Sequence, residues 1–156
     1  MKYGLMSVNT KQTKPNIQHS TSNIQHPTKP TRARSAPVGY DLDDRLLDYA
    51  ARIVRLAESL PKTRSGNHIA GQLLRSGTSA LANHAEAQAA ESKSDFLHKM
   101  RICLKELRES YRWLLLCKTV PLIKPASKFD PIVKETDELA AIFFTSIRSA
   151  KARPDD

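Results

Sequence analysis

Cysteine, tryptophan and glycine are scarce in this sequence, at two, one and five residues among 156. With only Cys103 and Cys117 available, no disulfide framework can be built. If the two share a helix, fourteen positions at about 1.5 Å per residue put them roughly 21 Å apart, beyond disulfide reach. The few glycines form no phosphate-cradling loop, and there is no Cys-x-x-Cys pair and no nucleophile elbow. Long apolar runs are missing as well. Nothing approaches the roughly 18–20 apolar residues that span a bilayer, and the first residues lack the apolar centre of a secretory signal. These absences lead us to expect a soluble, cytoplasmic, non-catalytic protein with no cofactor and no metal. Aromatic residues are only 6% of a chain that is 40% hydrophobic, so the core must come mostly from Leu, Ile, Val and Ala, as in helical proteins. The length fits one domain.

Acidic residues are absent from Met1 to Pro37, which carries Lys2, Lys11, Lys14, Lys29, Arg32 and Arg34. The whole chain sets 25 Lys and Arg against 16 Asp and Glu, a formal charge of +9, so two thirds of the net charge lies in this segment. It is rich in Thr, Ser, Asn, Gln and Pro, lacks apolar periodicity, and repeats Asn-Ile-Gln-His at Asn16–His19 and Asn23–His26. Such a segment buries too little apolar area to offset its ordering entropy. Residues 1–37 are therefore expected to be a disordered basic tail, and residues 38–156 the folded domain. A basic arm can bind nucleic acid. The same composition also suits a solvated tail or a start codon placed too early.

Four amphipathic periods follow. From Asp41 to Leu60, Leu46, Leu47, Ala50, Ile53, Val54, Ala57 and Leu60 recur at spacings of three and four. Asp41, Asp43 and Asp44 favour the positive end of that helix, and Pro61 with Ser65 and Gly66 marks its stop. The second period runs through Ile69, Leu73, Leu74, Gly77, Ala80, Leu81, His84 and Ala85. Its small face implies close approach by a neighbour at Gly77, a residue that weakens an isolated helix by about 1 kcal/mol relative to Ala. Ser92 and Asp95 form a capping box for a third helix with the stripe Phe96, Met100, Cys103, Leu104, Leu107, Tyr111, Leu114 and Leu115. Asp130 can cap a fourth, with Pro131 at its first position, and Ile132, Val133, Thr136, Leu139, Ala140, Phe143, Ile147 and Ala150 continue the period. No strand is evident. The expected fold is all-α, an antiparallel up-and-down four-helix bundle with a disordered N-terminal tail.

Several residues remain once the core is assigned. Arg101, Lys105, Arg108 and Arg112 fall within about 60° of one another on the third helix and are the candidate nucleic-acid-binding ridge, weakened by Glu106 and Glu109 nearby. Ile102, Trp113 and Leu116 stand away from the main stripe of that helix, and Leu42, Tyr49 and Leu56 repeat every seven residues on the first. These six are the candidate oligomer interface, since apolar flanks with Trp and Tyr suit self-association. The alternative is that another element covers them. His84 and Glu86 point in different directions, and no second His stands at the position a helical metal pair needs. Neither cysteine has a His or acid at a diagnostic spacing, so both read as structural.

Within residues 72–107, Arg75, Ser76, Ser79, Asn83 and Glu86 follow the pattern Arg-Ser-x-x-Ser-x-x-x-Asn-x-x-Glu. With Ser110, Trp113 and Leu114 and with Asp137, Glu138 and Leu139, the stretch from about Tyr40 to Arg153 resembles the four-helix bundle family of the 23S rRNA-intervening sequence proteins. That resemblance implies an antiparallel bundle, a ring-shaped homopentamer and no known catalysis. It also implies a relation to the accessory variability protein of diversity-generating retroelements, which binds nucleic acid and a reverse transcriptase through basic outer surfaces. His84 departs from the aromatic or aliphatic residue common at its position. Physically, Arg75, Ser79, Asn83 and Glu86 share one ridge of the second helix and can make i,i+4 or interhelical polar contacts. The sequence reading is a non-catalytic oligomeric interaction module, with RNA or DNA as a candidate partner beside a protein partner and no membrane. Its alternative is a purely structural or protein-binding adaptor without nucleic-acid affinity.

Overall fold

The computed structural model describes residues 42–154, so the expected tail, residues 1–37, lies outside it. The helices are α1 (Leu42–Ser59), α2 (Arg64–Gln88), α3 (Lys93–Thr119) and α4 (Asp130–Ala152), with a 3-10 turn at Ala126–Phe129 before α4. No strand occurs among the described residues. Asp43 and Asp44 sit in the first turn of α1, where the helix dipole favours them. Ser92 caps α3 by accepting the Asp95 N–H at 3.1 Å, and Thr63 caps α2 by accepting the Gly66 N–H at 3.1 Å.

Two expected boundaries differ. Ser65 and Gly66 belong to the first turn of α2, because the break after α1 is completed by Pro61 to Thr63. Gly66 is required by the close approach of the chain there, since a Cβ would lie 2.0 Å from the Pro61 carbonyl oxygen. Asp130 does not cap α4. The 3-10 turn runs straight into the helix, so Asp130 already has helical φ −57° and ψ −44°, and its carboxylate meets Lys118 Nζ at 2.5 Å.

Cross-helix contacts fix the directions. Asp43 meets His84 and Ile53 meets Gly77, Ser76 meets Ser110 and Glu86 meets Lys99, and Lys93 meets Arg153 while Lys118 meets Asp130. In each pair of helices the numbering rises on one as it falls on the other, so consecutive helices are antiparallel. The core consists of fully or nearly buried Leu46, Ile53, Leu73, Leu107, Leu114, Phe129, Leu139 and Phe143, with the two cysteines among them. On α1 the buried arc is rotated from the expected one. Leu47 is 57% exposed and Val54 40%, while Tyr49 is fully enclosed.

Tyr49 anchors a polar crossing of this apolar core. The Ser76 hydroxyl donates to Gln72 O at 2.9 Å, and the Ser110 hydroxyl donates to Ser76 Oγ at 2.8 Å. The Thr136 hydroxyl donates to Ile132 O at 2.6 Å and lies 3.2 Å from the Tyr49 phenol oxygen, which Ser110 also hydrogen-bonds. One hydroxyl from each helix thus joins a single buried chain, and Tyr49, Ser76, Ser110 and Thr136 are all fully buried. Such groups are tolerated in a core only when bonded. Burial pushes the Tyr49 phenol up, against the pull of its two hydroxyl partners.

At Gly77 an added Cβ would lie 2.6 Å from Ile53 Cγ2, and buried, β-branched Ile53 has no free rotamer to yield. Gly77→Ala should therefore destabilise by about 1–2 kcal/mol in urea melts, the overpacking outweighing about 1 kcal/mol of helix propensity. Adding Ile53→Ala should recover part of the loss relative to the sum of the single changes. Tyr49→Phe should cost about 1 kcal/mol in the same assay, with the fold retained, because Thr136 and Ser110 each keep a second partner.

Candidate functional site

Arg101, Lys105, Arg108 and Arg112 are all exposed along one side of α3, and none of them makes an ion pair with a described residue. Of the nearby acidic residues of this helix, Glu106 is nearly buried and Glu109 lies beside Arg108 and Arg112. Glu106 and Glu109 turn toward α2, where Arg75 lies 3.6 Å from Glu106 Oε2 through Nη1 and bonds Glu109 through Nη2. Helix α3 is therefore sorted by charge, and the expected weakening of the ridge by these two carboxylates is reduced by Arg75. Glu106 is nearly buried, and its Oε2 has no hydrogen-bond partner, so the Arg75 charge is what compensates it.

The motif residues line this α2–α3 seam. Asn83 donates to Ser79 O at 2.9 Å and contacts Ser79 Oγ at 3.1 Å, Glu86 pairs with Lys99, and Ser76 belongs to the buried hydroxyl chain. His84 is buried, with Nδ1 2.6 Å from Asp43 Oδ1 and its ring edge-on to Phe143 at 5.6 Å. It ties the start of α1 to α2 and α4. Burial pushes the thiol of Cys103 up to about 12 and that of Cys117 up to about 11, which leaves both protonated and inert at neutral pH. Among the described residues, no group of three or more His, Cys, Asp and Glu side chains is placed to hold a metal ion.

The six residues expected at an oligomer interface do not form one surface. Tyr49 is in the core, a correction that follows from its hydroxyl bonds. Leu42, Leu56 and Trp113 are half-buried against the core, the Trp113 indole donating to Glu109 Oε1 at 3.3 Å with His68 edge-on to its ring. Ile102 is half-buried, and Leu116 alone of the six is mostly outward, at 39% exposure. The apolar side chains that α1 does expose are Leu47 and Val54.

On the other side of the ridge, Arg108, Tyr111 and Arg112 share an outer groove with Asp137, Ala140, Ala141 and Phe144 of α4, which Glu109 also borders. Phe144 is exposed. The sequence offered one signal for it: adjacent Phe143 and Phe144 cannot both face the core of a helix 100° per residue in pitch.

The family model of the 23S rRNA-intervening sequence proteins matches residues 44–144, most of the described bundle. The chain belongs to this family. A crystal structure of a protein of unknown function from the S23 ribosomal protein family of Bacteroides thetaiotaomicron is similar, with a TM-score of 0.64 and 34% sequence identity over 69% of this chain and 98% of that one. No curated protein matches. The 23S rRNA-intervening sequence family and this neighbour indicate no enzymatic class, and no described helix is long and apolar enough to cross a membrane. Within the family pattern of this chain, Arg75 acts as the charge partner of α3. Arg75→Ala should destabilise by about 1–3 kcal/mol in urea melts, a value discounted for the exposure of Arg75. Glu106→Gln in the Arg75→Ala background should recover part of it by removing the stranded charge.

Proposed function

We propose that the bundle is a non-catalytic interaction module that assembles with copies of itself and holds RNA or DNA by its phosphates along Arg101, Lys105, Arg108 and Arg112. One observation carries the nucleic-acid part: four exposed cations in consecutive turns of α3, without ion-pair partners among the described residues, while the nearby Glu106 and Glu109 are paired with Arg75 of α2. Unpaired cations in a row can neutralise phosphates and release their counterions. Over eleven positions the row spans roughly 16 Å of helix, enough for several phosphates. Self-association is supported by the exposed apolar side chains Leu47, Val54 and Leu116, and the family resemblance makes a homopentamer the assembly to expect. The same exposed apolar side chains favour a second reading, a protein-binding adaptor without nucleic-acid affinity.

Salt dependence separates the two readings. Binding of the full chain to ribosomal RNA fragments should weaken linearly in log salt, and changing all four basic residues to Ala should lower that slope by up to about 3 or 4 while leaving the melt unchanged. Absence of binding at low salt would remove the nucleic-acid reading and leave the adaptor.

A further inference from the structure

We infer that the outer groove between α3 and α4 is a track for single-stranded polynucleotide, in which a base stacks on Phe144 and the backbone lies along the cations of both helices. The inference rests on the nucleic-acid reading above and adds to it a strandedness, a stacking residue and a second helix. Phe144 is 51% exposed and shares its groove with Tyr111, Arg108 and Arg112. An apolar ring left half in water beside two unpaired guanidinium groups offers both halves of what a nucleotide presents, a π-face and a phosphate.

The charge of the groove is extended by α4. Arg148 and Lys151 follow Phe144 at spacings of four and seven, so they share its flank. Both are exposed and without ion pairs to described residues. The antiparallel register set by Lys93 against Arg153 and Lys118 against Asp130 makes these two continue the row beyond Arg101. Arg108 and Arg112 line the groove itself, and Arg101, Lys105, Arg148 and Lys151 extend the basic surface along the two helices beyond it. Two acidic residues also border the groove. Glu109 is already bound by Arg75 and by the Trp113 indole. Asp137, on the α4 side, repels phosphate toward α3 and can accept a hydrogen bond from a base amino group. Around Phe144 the groove is thus polarised, with the base on α4 and its phosphate on α3, and the backbone meets the α4 cations only beyond Arg101.

Strandedness follows from the ring. In a duplex both faces of each base are already stacked, so a single Phe on a helix surface gains nothing without unstacking. In a single strand every base has a free π-face. Stacking and phosphate contacts are common to RNA and DNA, and the probes must distinguish them.

The test is fluorescence anisotropy of the full chain with labelled oligo(U), oligo(dT) and a duplex of equal length at low salt. Both single strands, or oligo(U) alone, should bind more tightly than the duplex. Phe144→Ala should weaken them by roughly ten-fold or more with an unchanged melt, Phe144→Trp should restore binding, and Arg148→Ala with Lys151→Ala should lower the salt slope by about 1. Duplex binding as tight as single-strand binding, or single-strand binding indifferent to Phe144→Ala, overturns this inference and leaves the broader reading intact. A change in assembly state on Phe144→Ala with unchanged binding assigns the groove to contacts between copies and overturns it as well. No binding by any probe removes the broader reading itself.

Discussion

Arg75, Ser76 and Gly77 together fix where α2 stands against both of its neighbours. The Gly77 backbone receives Ile53 of α1 at a distance that admits no Cβ. One residue earlier, buried Ser76 takes the Ser110 hydroxyl of α3, and one residue before that Arg75 spans Glu106 and Glu109. Successive side chains on a helix point 100° apart, so three adjacent positions address a helix on one side, the core, and a helix on the other. The hydroxyl chain carries the registration to α1 and α4 through Tyr49 and Thr136. A slip of α2 by one residue would strand buried hydroxyls and press a side chain into Ile53 at once, which makes the register specific in a way that Leu and Ala packing alone does not.

The same three residues bear on the outer surface. By pairing with Glu106 and Glu109, Arg75 offsets the acidic residues nearest the basic ridge of α3. The net charge of +9 therefore says less about binding than the sorting of charge around one helix does. Six of the basic residues that set that total lie in residues 1–37, outside the described bundle. The remaining residues, 38–156, carry 19 basic against 16 acidic side chains, so the field proposed for binding is local, carried by four positions of α3 and extended by two of α4.

Periodicity made the helices legible because each carries a long stripe at spacings of three and four, and Ser92 with Asp95 marked a start that the structure reproduces. What failed on α1 was rotation. Leu46 and Leu47 are adjacent and both apolar, and Leu42, Tyr49 and Leu56 run parallel to Leu47 and Val54 at the same spacing of seven. Hydropathy cannot choose between two such flanks. The choice was made by the Tyr49 hydroxyl, whose partners Ser110 and Thr136 are far away in sequence, and no local pattern announces such a bond. Asp130 failed as a cap for a local reason, since the preceding 3-10 turn already supplies helical geometry. Of the candidate site, the α3 ridge was legible by arithmetic on one helix. Its α4 half was not, because the face that Phe144, Arg148 and Lys151 share with α3 exists only once the register of the two helices is known.

Of the exposed apolar side chains, Phe144 lies in the basic groove and Leu116 on α3, whereas Leu47 and Val54 lie on another flank, and this decides which of them compete with the groove. Asp43 reaches α2 and Arg45 reaches α4, so the α2 side of α1 is the one that carries Leu47, one turn after Asp43, and Val54 beyond it. The basic groove lies between α3 and α4. Association through the α1–α2 flank leaves that groove open in every copy. Four to six phosphate contacts per bundle are weak at physiological salt, but copies held in one assembly present several such grooves to one strand, and linked sites gain affinity through effective concentration without any new contact. On the proposed reading, assembly and polyanion binding are two parts of one design: the apolar flank would set how many grooves act together, and the sorted charge of α3 would set what each of them holds.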